Sequence, residues 1–173
     1  MQAILVNVMV DNSGINPLTG QPIIYNPAEL WSLGNCTMCT TKIDAKNMVN
    51  GTWHDSTVCF GEVQTKSQLP TASLVNICML GTAIYVSCAI AQTTSNPGGF
   101  SDMSFFIDGN LVGTFVKTAP GIPGYDFNFS AYLNTSLPPG GHELIIQNGH
   151  INGSQSLILL NSITYLSALH TSL

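Results

Sequence analysis

At 173 residues the chain has the size of one domain and reads as a single unit over residues 1–173, long enough to bury roughly 70% of its unfolded surface without covalent staples. Only 8% of its residues are charged, against an average of about 25%, so Ser, Thr, Asn, Gln and Gly must cover the surface. With net charge −5, no arginine and four scattered lysines (Lys42, Lys46, Lys66 and Lys117), it lacks the clustered cations that nucleic acid demands. No apolar run of about 18 residues and no basic amphipathic helix points to membrane insertion.

Taken in chain order, apolar and β-branched runs bounded by Gly, Pro, Asn and Ser predict ten strands. They are Ile4–Val10, Pro22–Tyr25, Trp53–Phe60, Ser73–Leu80, Ala83–Ala91, Met103–Asp108, Leu111–Lys117, Phe127–Tyr132, His142–Gln147 and Ser156–Leu166. The best helical candidate, Ala45 to Val49, is about one turn long. The period of two in Ile84-Tyr85-Val86-Ser87-Cys88-Ala89-Ile90 places Ile84, Val86, Cys88 and Ile90 on a core face and turns Tyr85 and Ser87 outward. Asp108-Gly109-Asn110 reads as a tight hairpin, because glycine accepts the positive φ that such turns need. Asn96-Pro97-Gly98-Gly99, Pro120 to Gly124 and Pro138-Pro139-Gly140-Gly141 are turns or loops, since proline cannot continue a central strand. Many short strands with a turn every eight to twelve residues predict an all-β fold, an antiparallel β-sandwich or jelly roll.

Met1 to Val10 is apolar but short, with no basic stretch and no small-residue cleavage site, so it reads as a strand rather than a signal peptide. The protein is then either cytosolic or has lost a signal peptide. Five Asn-X-Ser/Thr sequons, beginning at Asn35, Asn50, Asn128, Asn134 and Asn152, favour a secreted or extracellular glycoprotein.

Among candidate site residues, Trp53-His54-Asp55 is the sharpest group. His54 titrates near neutral pH and suits proton transfer or ligand contact. Residues adjacent on a strand point to opposite faces, so Trp53 and Asp55 share one face and His54 takes the other. The competing reading makes Trp53 a core aromatic and His54 a donor to backbone. Cys36-x-x-Cys39 has three readings: a local disulfide or redox pair, a zinc site with His54 and Cys59, or structural pairing with a distant cysteine. A second C-x-x-C unit and a strand–helix context are both absent, so a disulfide is expected. Cys88, inside a strand, reads as a buried free thiol. Tyr25, Trp31, Trp53, Tyr85 and Tyr125 offer rings on which a sugar could stack, with Asp11, Asn12, Asp126 and Asn148 to read hydroxyls. No G-x-S-x-G, H-x-x-E-H or phosphate-binding loop is present, and no catalytic residue is assigned.

Asp11-Asn12, Ile24-Tyr25, Trp31, Cys36-Thr37-Met38-Cys39 and Gly51-Thr52-Trp53-His54-Asp55-Ser56-Thr57 precede the strand string in an order that resembles the galactose-binding-domain-like jelly-roll proteins of mushroom-forming fungi. The resemblance spans nearly the whole chain. It implies a secreted protein or an ectodomain, in a fold group rich in carbohydrate-binding modules. Two departures stand out: Asn161 occupies a place where Asp is common, and Asn16 to Pro22 looks like an insertion.

The reading that results is a lectin-like, carbohydrate-binding module with Tyr25, Trp31, Trp53, His54, Asp55 and Tyr125 at the ligand. No metal or other cofactor is assigned. Calcium, common in binding modules of this form, is an open alternative, although the nine acidic residues form no Asp-rich loop. The rival readings are a small enzyme, a hydrolase or natural-product cyclase or isomerase, with a His-containing pocket for a small apolar molecule, and a structural or adhesive surface protein.

Overall fold

The computed structural model describes residues 3–34, 36, 39, 41–58, 73–150 and 153–170. Cys59, the end of the expected strand to Phe60, Lys66 and the sequons at Asn35 and Asn152 lie outside the described residues. Eleven strands are described: β1 (Ala3–Asp11), β2 (Ile24–Asn26), β3 (Ser32–Leu33), β4 (His54–Val58), β5 (Ser73–Gly81), β6 (Ala83–Ala91), β7 (Ser101–Ile107), β8 (Asn110–Lys117), β9 (Tyr125–Asn134), β10 (Gly140–Asn148) and β11 (Ser156–His170). They form two antiparallel sheets. The first runs β3-β4-β11-β6-β9, with β1 also on β11, and the second runs β2-β5-β10-β7-β8. The expected all-β sandwich is borne out.

Alternation drives this arrangement. On β6, Ile84, Val86, Cys88 and Ile90 all point into the space between the sheets and are almost wholly buried, with Val75, Ile77, Phe105, Leu144, Ile146 and Ile163 around them. Tyr85 points outward as expected and is 37% exposed. Cys88 is the expected buried free thiol, and burial pushes its pKa up to about 12. The β7–β8 hairpin turns on Asp108 and Gly109, with φ of 52° and 77°, the pair of left-handed residues that a two-residue hairpin of this hand requires.

Most strand boundaries shift by one to four residues from expectation, and three differences have a clear cause. β10 starts at Gly140 rather than His142, because both glycines pair with the end of β5 through their backbones alone. The two-residue β3 carries too short a pattern to read, yet it pairs with Asp55 and His54 of β4. The expected helical turn is a pair of 3-10 turns, Ala45–Asn47 and Val49–Gly51, the first capped by the Asp44 carboxylate accepting from the Lys46 backbone N–H.

The segment from Thr41 to Trp53 gives the first sheet a second buried face. Ile43, Met48 and Trp53 pack there on Ala89, Ala91, Leu157 and Leu159, outside the space between the sheets. Positions 89 and 91, outward by alternation, are buried for this reason.

Candidate functional site

β1 and β4 lie end to end along one flank of β11. Asp11 pairs with Ser162 and His54 with Leu160, which leaves Asn161 at the join. Asn161 is fully buried, and its amide closes the gap. Its Oδ1 accepts from the Val49 backbone N–H at 2.8 Å, and its Nδ2 donates to Asn128 Oδ1 at 3.0 Å. Its main-chain oxygen accepts from both the backbone N–H and the side-chain Nδ2 of Asn12. Asn12 Nδ2 also donates to Asp11 Oδ1 and to the Thr52 carbonyl, so its Oδ1 is the atom 2.9 Å from Nδ1 of His54.

His54 faces the gap between the sheets at this edge. Its ring stacks on Tyr25 at 4.0 Å and 13°, and Tyr25 meets Trp31 at 4.9 Å and 53°. The Tyr25 hydroxyl donates to the Asn12 carbonyl at 2.6 Å. Burial lowers the His54 pKa below its ordinary value, with the Asp11 charge opposing in part, so the ring is neutral at neutral pH. Burial, and after it the Asp11 charge, raises the Tyr25 phenol. Three expected site residues therefore meet here, but as a closed stack. The His54 and Trp31 rings take up Tyr25, and Trp31 is buried, so none of these rings offers a clear face to a sugar.

The other three lie on the opposite face of the first sheet, as the strand geometry requires. Trp53 is completely buried, with Gly34 laid flat against it; a methyl group on Gly34 would sit 2.2 Å from the indole. Trp53 is thus the core aromatic of the competing reading, and a sugar has no access to it. Asp55 is buried beside the Cys36–Cys39 disulfide and accepts from the Thr41 hydroxyl at 2.7 Å. Tyr125 is half-buried, and its hydroxyl accepts from the Lys42 backbone N–H. The disulfide uses up two of the three thiolates that the zinc reading needed, and His54 faces away from them.

An open cavity lies elsewhere. Loops 92–100, 118–124 and 153–155 meet at one end of the sandwich around a cleft of about 240 Å³, lined by Thr94, Gly98, Gly99, Phe100, Thr118, Ala119, Ser154 and Gln155. Its walls are tied down. Gln92 accepts from the backbone N–H groups of Gly121 and Ile122 and donates its own to Gly124; Gly99 donates to Thr93, and Leu157 donates to Phe100. The Gln92 amide bonds Asp126, which is paired with Lys117 at 2.6 Å. Among the described residues no charged side chain lines the cleft. None of the residues expected at the ligand lines it either.

The sandwich resembles a carbohydrate-binding module. A family 35 carbohydrate binding module from Clostridium thermocellum superposes with a TM-score of 0.51 at 8% identity, over 93% of this chain and 97% of that one. The catalytic domain of a GH87 alpha-1,3-glucanase in complex with nigerose superposes with a TM-score of 0.50 at 10% identity, over 99% of this chain and 30% of that one. At such identities the likeness is one of fold, and it bears out the jelly roll. No protein-family model matches the sequence, and no curated protein matches it.

His142 and His150 are not among the residues that line the cleft. His142 has both ring nitrogens engaged, Nδ1 with Asp108 Oδ2 at 2.6 Å and Nε2 with the Pro138 carbonyl at 2.7 Å, so it has no lone pair for base chemistry while both are protonated. His150 pairs with Asp102. Among the described residues no three His, Cys, Asp or Glu side chains converge on a possible metal position, so those residues supply no acidic cluster for calcium.

Proposed function

We propose that the chain is a non-catalytic, lectin-like carbohydrate-binding module, secreted or displayed at a cell surface, that holds a neutral glycan in the loop-end cleft. The observation that carries this reading is the chemistry of the lining. Phe100 gives an apolar surface for the C–H face of a pyranose. Thr94, Thr118, Ser154 and Gln155 give hydroxyl and amide groups that both donate and accept, as sugar hydroxyls do. An uncharged lining has nothing with which to select a phosphate or carboxylate ligand. The tied-down walls fit a pre-formed site, which limits the ordering cost of binding. The likeness of fold to carbohydrate-binding modules supports the same reading.

The C-x-x-C disulfide, the sequons and the sparse charge support secretion. The resemblance of the first half to galactose-binding-domain-like proteins of mushroom-forming fungi supports a fungal source. A catalytic pocket has less behind it, since no described histidine, carboxylate or thiol lines the cleft.

A glycan array, run with and without calcium on protein from a secreting host, tests the reading. Binding of one or more neutral oligosaccharides is expected. An array with no neutral glycan bound under either condition would overturn it.

A further inference from the structure

We propose that the Cys36–Cys39 disulfide is an exchangeable redox centre for external thiols, and that the Asp55 carboxyl hands a proton to the Cys39 sulfur as that sulfur leaves. The geometry behind this is a juxtaposition across two segments. Asp55 comes from β4, and Cys39 from the segment that follows β3. Cys39 Sγ lies 3.9 Å from Asp55 Oδ1. The other carboxyl oxygen, Oδ2, is held by the Thr41 hydroxyl at 2.7 Å, which fixes the orientation of the group. Asp55 is only 8% exposed, whereas both cysteines are half-buried.

Among the described residues the surroundings of Asp55 are apolar or neutral. Its strand partners are Leu159 on β11 and Ser32 on β3, and the segment above it contributes Thr41 and Cys39. Its strand neighbour His54 points to the other face. Burial raises the Asp55 pKa above the ordinary carboxylate value, the Thr41 hydroxyl opposes this, and no charged neighbour among the described residues contributes. A buried carboxyl without a cation beside it is most stable when protonated. A disulfide sulfur has no proton to offer that carboxyl, but a thiol does. Reduction therefore changes the hydrogen bonding of Asp55, and a proton can pass between the two groups.

The chemistry balances with an external thiol as reductant. A thiolate attacks Cys36 Sγ, a new S–S bond forms to Cys36, and the Cys36–Cys39 bond breaks with its electron pair on Cys39. Protonated Asp55 delivers its proton to Cys39 Sγ and becomes a carboxylate, which then accepts from the new S–H. A second external thiolate attacks the mixed disulfide at the outer sulfur and releases Cys36 as a thiolate, which takes a proton from water. Two thiols become one external disulfide, and the protein gains two thiols. A purely structural disulfide in this place would undergo the same exchange with no dependence on the Asp55 proton.

The test is the rate of reduction by dithiothreitol, divided by the concentration of its thiolate, between about pH 4 and about pH 8. Thiols at Cys36 and Cys39 are trapped by alkylation and counted by peptide mass spectrometry. In the wild type this normalised rate is expected to fall as pH rises through the Asp55 titration. Asp55→Ala is expected to flatten the profile and to lower the rate about ten-fold or more at the acid end. Thr41→Val removes the bond that favours the carboxylate, so the fall moves to higher pH. This second variant keeps the carboxyl and decides the matter if Asp55→Ala does not fold. A flat wild-type profile, the same fall in Asp55→Ala, or an unmoved fall in Thr41→Val would overturn the proposal.

Discussion

The Oδ1 of Asn12 lies 2.9 Å from Nδ1 of His54, and that contact fixes which imidazole nitrogen carries the proton. Asn12 Nδ2 is occupied by acceptors from Asp11, Thr52 and Asn161, so Oδ1 can only accept and Nδ1 must donate. His54 is therefore the Nδ1–H tautomer. Its depressed pKa means that the unfolded chain binds the proton more readily. Its share of stability is intact above the unfolded value of about 6.5 and is lost as pH falls below it. Long-range ¹⁵N–¹H spectra should show a protonated Nδ1 and a titration below about 6.5. An Nε2–H tautomer would contradict this geometry.

His142 should titrate in the opposite sense. The Pro138 carbonyl and then Asp108 favour its charged form, and the Glu143 backbone N–H, followed by the His142 ring N–H, holds Asp108 below the usual carboxylate range. The pair contributes between two limits. It weakens as pH falls through the lowered Asp108 pKa, and again as pH rises through the raised His142 pKa. In Asp108→Asn, His142 should move down yet stay above about 6.5, because the larger cause, Pro138, remains. An NMR titration of the two proteins checks this.

Trp53 and Gly34 form one unit of the outer cluster. Trp53→Ala should cost about 3–5 kcal/mol, as for a buried aromatic. Gly34→Ala should also destabilise the fold markedly, since its methyl group meets the indole at 2.2 Å. Urea unfolding measures both. A Gly34→Ala protein as stable as the wild type would show that the segment does not lie against Trp53.

Asn161 holds the β1/β4 join. Asn161→Ala leaves the Val49 N–H without its acceptor, and a loss of about 1–3 kcal/mol is expected. Thermal unfolding reads it directly.

Much of the fold was legible because its strands alternate cleanly. Ile84 to Ile90 assigned their own faces, and Asp108-Gly109 declared its turn. The opposed faces of Trp53 and His54 also followed from strand geometry. What residue type could not settle was access. Tyr25 and Trp31 look like sugar platforms in the sequence, yet the edge of the sandwich closes them into a stack with His54. Trp53 becomes core only because a segment with no regular pattern folds back over Ala89 and Leu157. The cleft had no motif at all. Asn96-Pro97-Gly98-Gly99 was readable as a loop, but nothing local says that it faces Thr118 and Ser154, which are brought to it by separate connections between the two sheets. Its hydroxyl and amide groups are also the commonest polar groups in this chain, so composition does not single them out.

The most direct test of glycan binding at the cleft is a titration of ¹⁵N-labelled protein with a panel of neutral gluco-, galacto- and manno-oligosaccharides, alongside Phe100→Ala. The account predicts that a binding oligosaccharide shifts the amides of Thr94, Gly98, Phe100, Thr118 and Gln155, and leaves Tyr25, His54 and Tyr125 unmoved. It also predicts that Phe100→Ala weakens binding by about ten-fold, the loss of about 1.4 kcal/mol. Shifts centred on the Tyr25–His54 stack or the outer face of the first sheet, or equal affinity in Phe100→Ala, would contradict it.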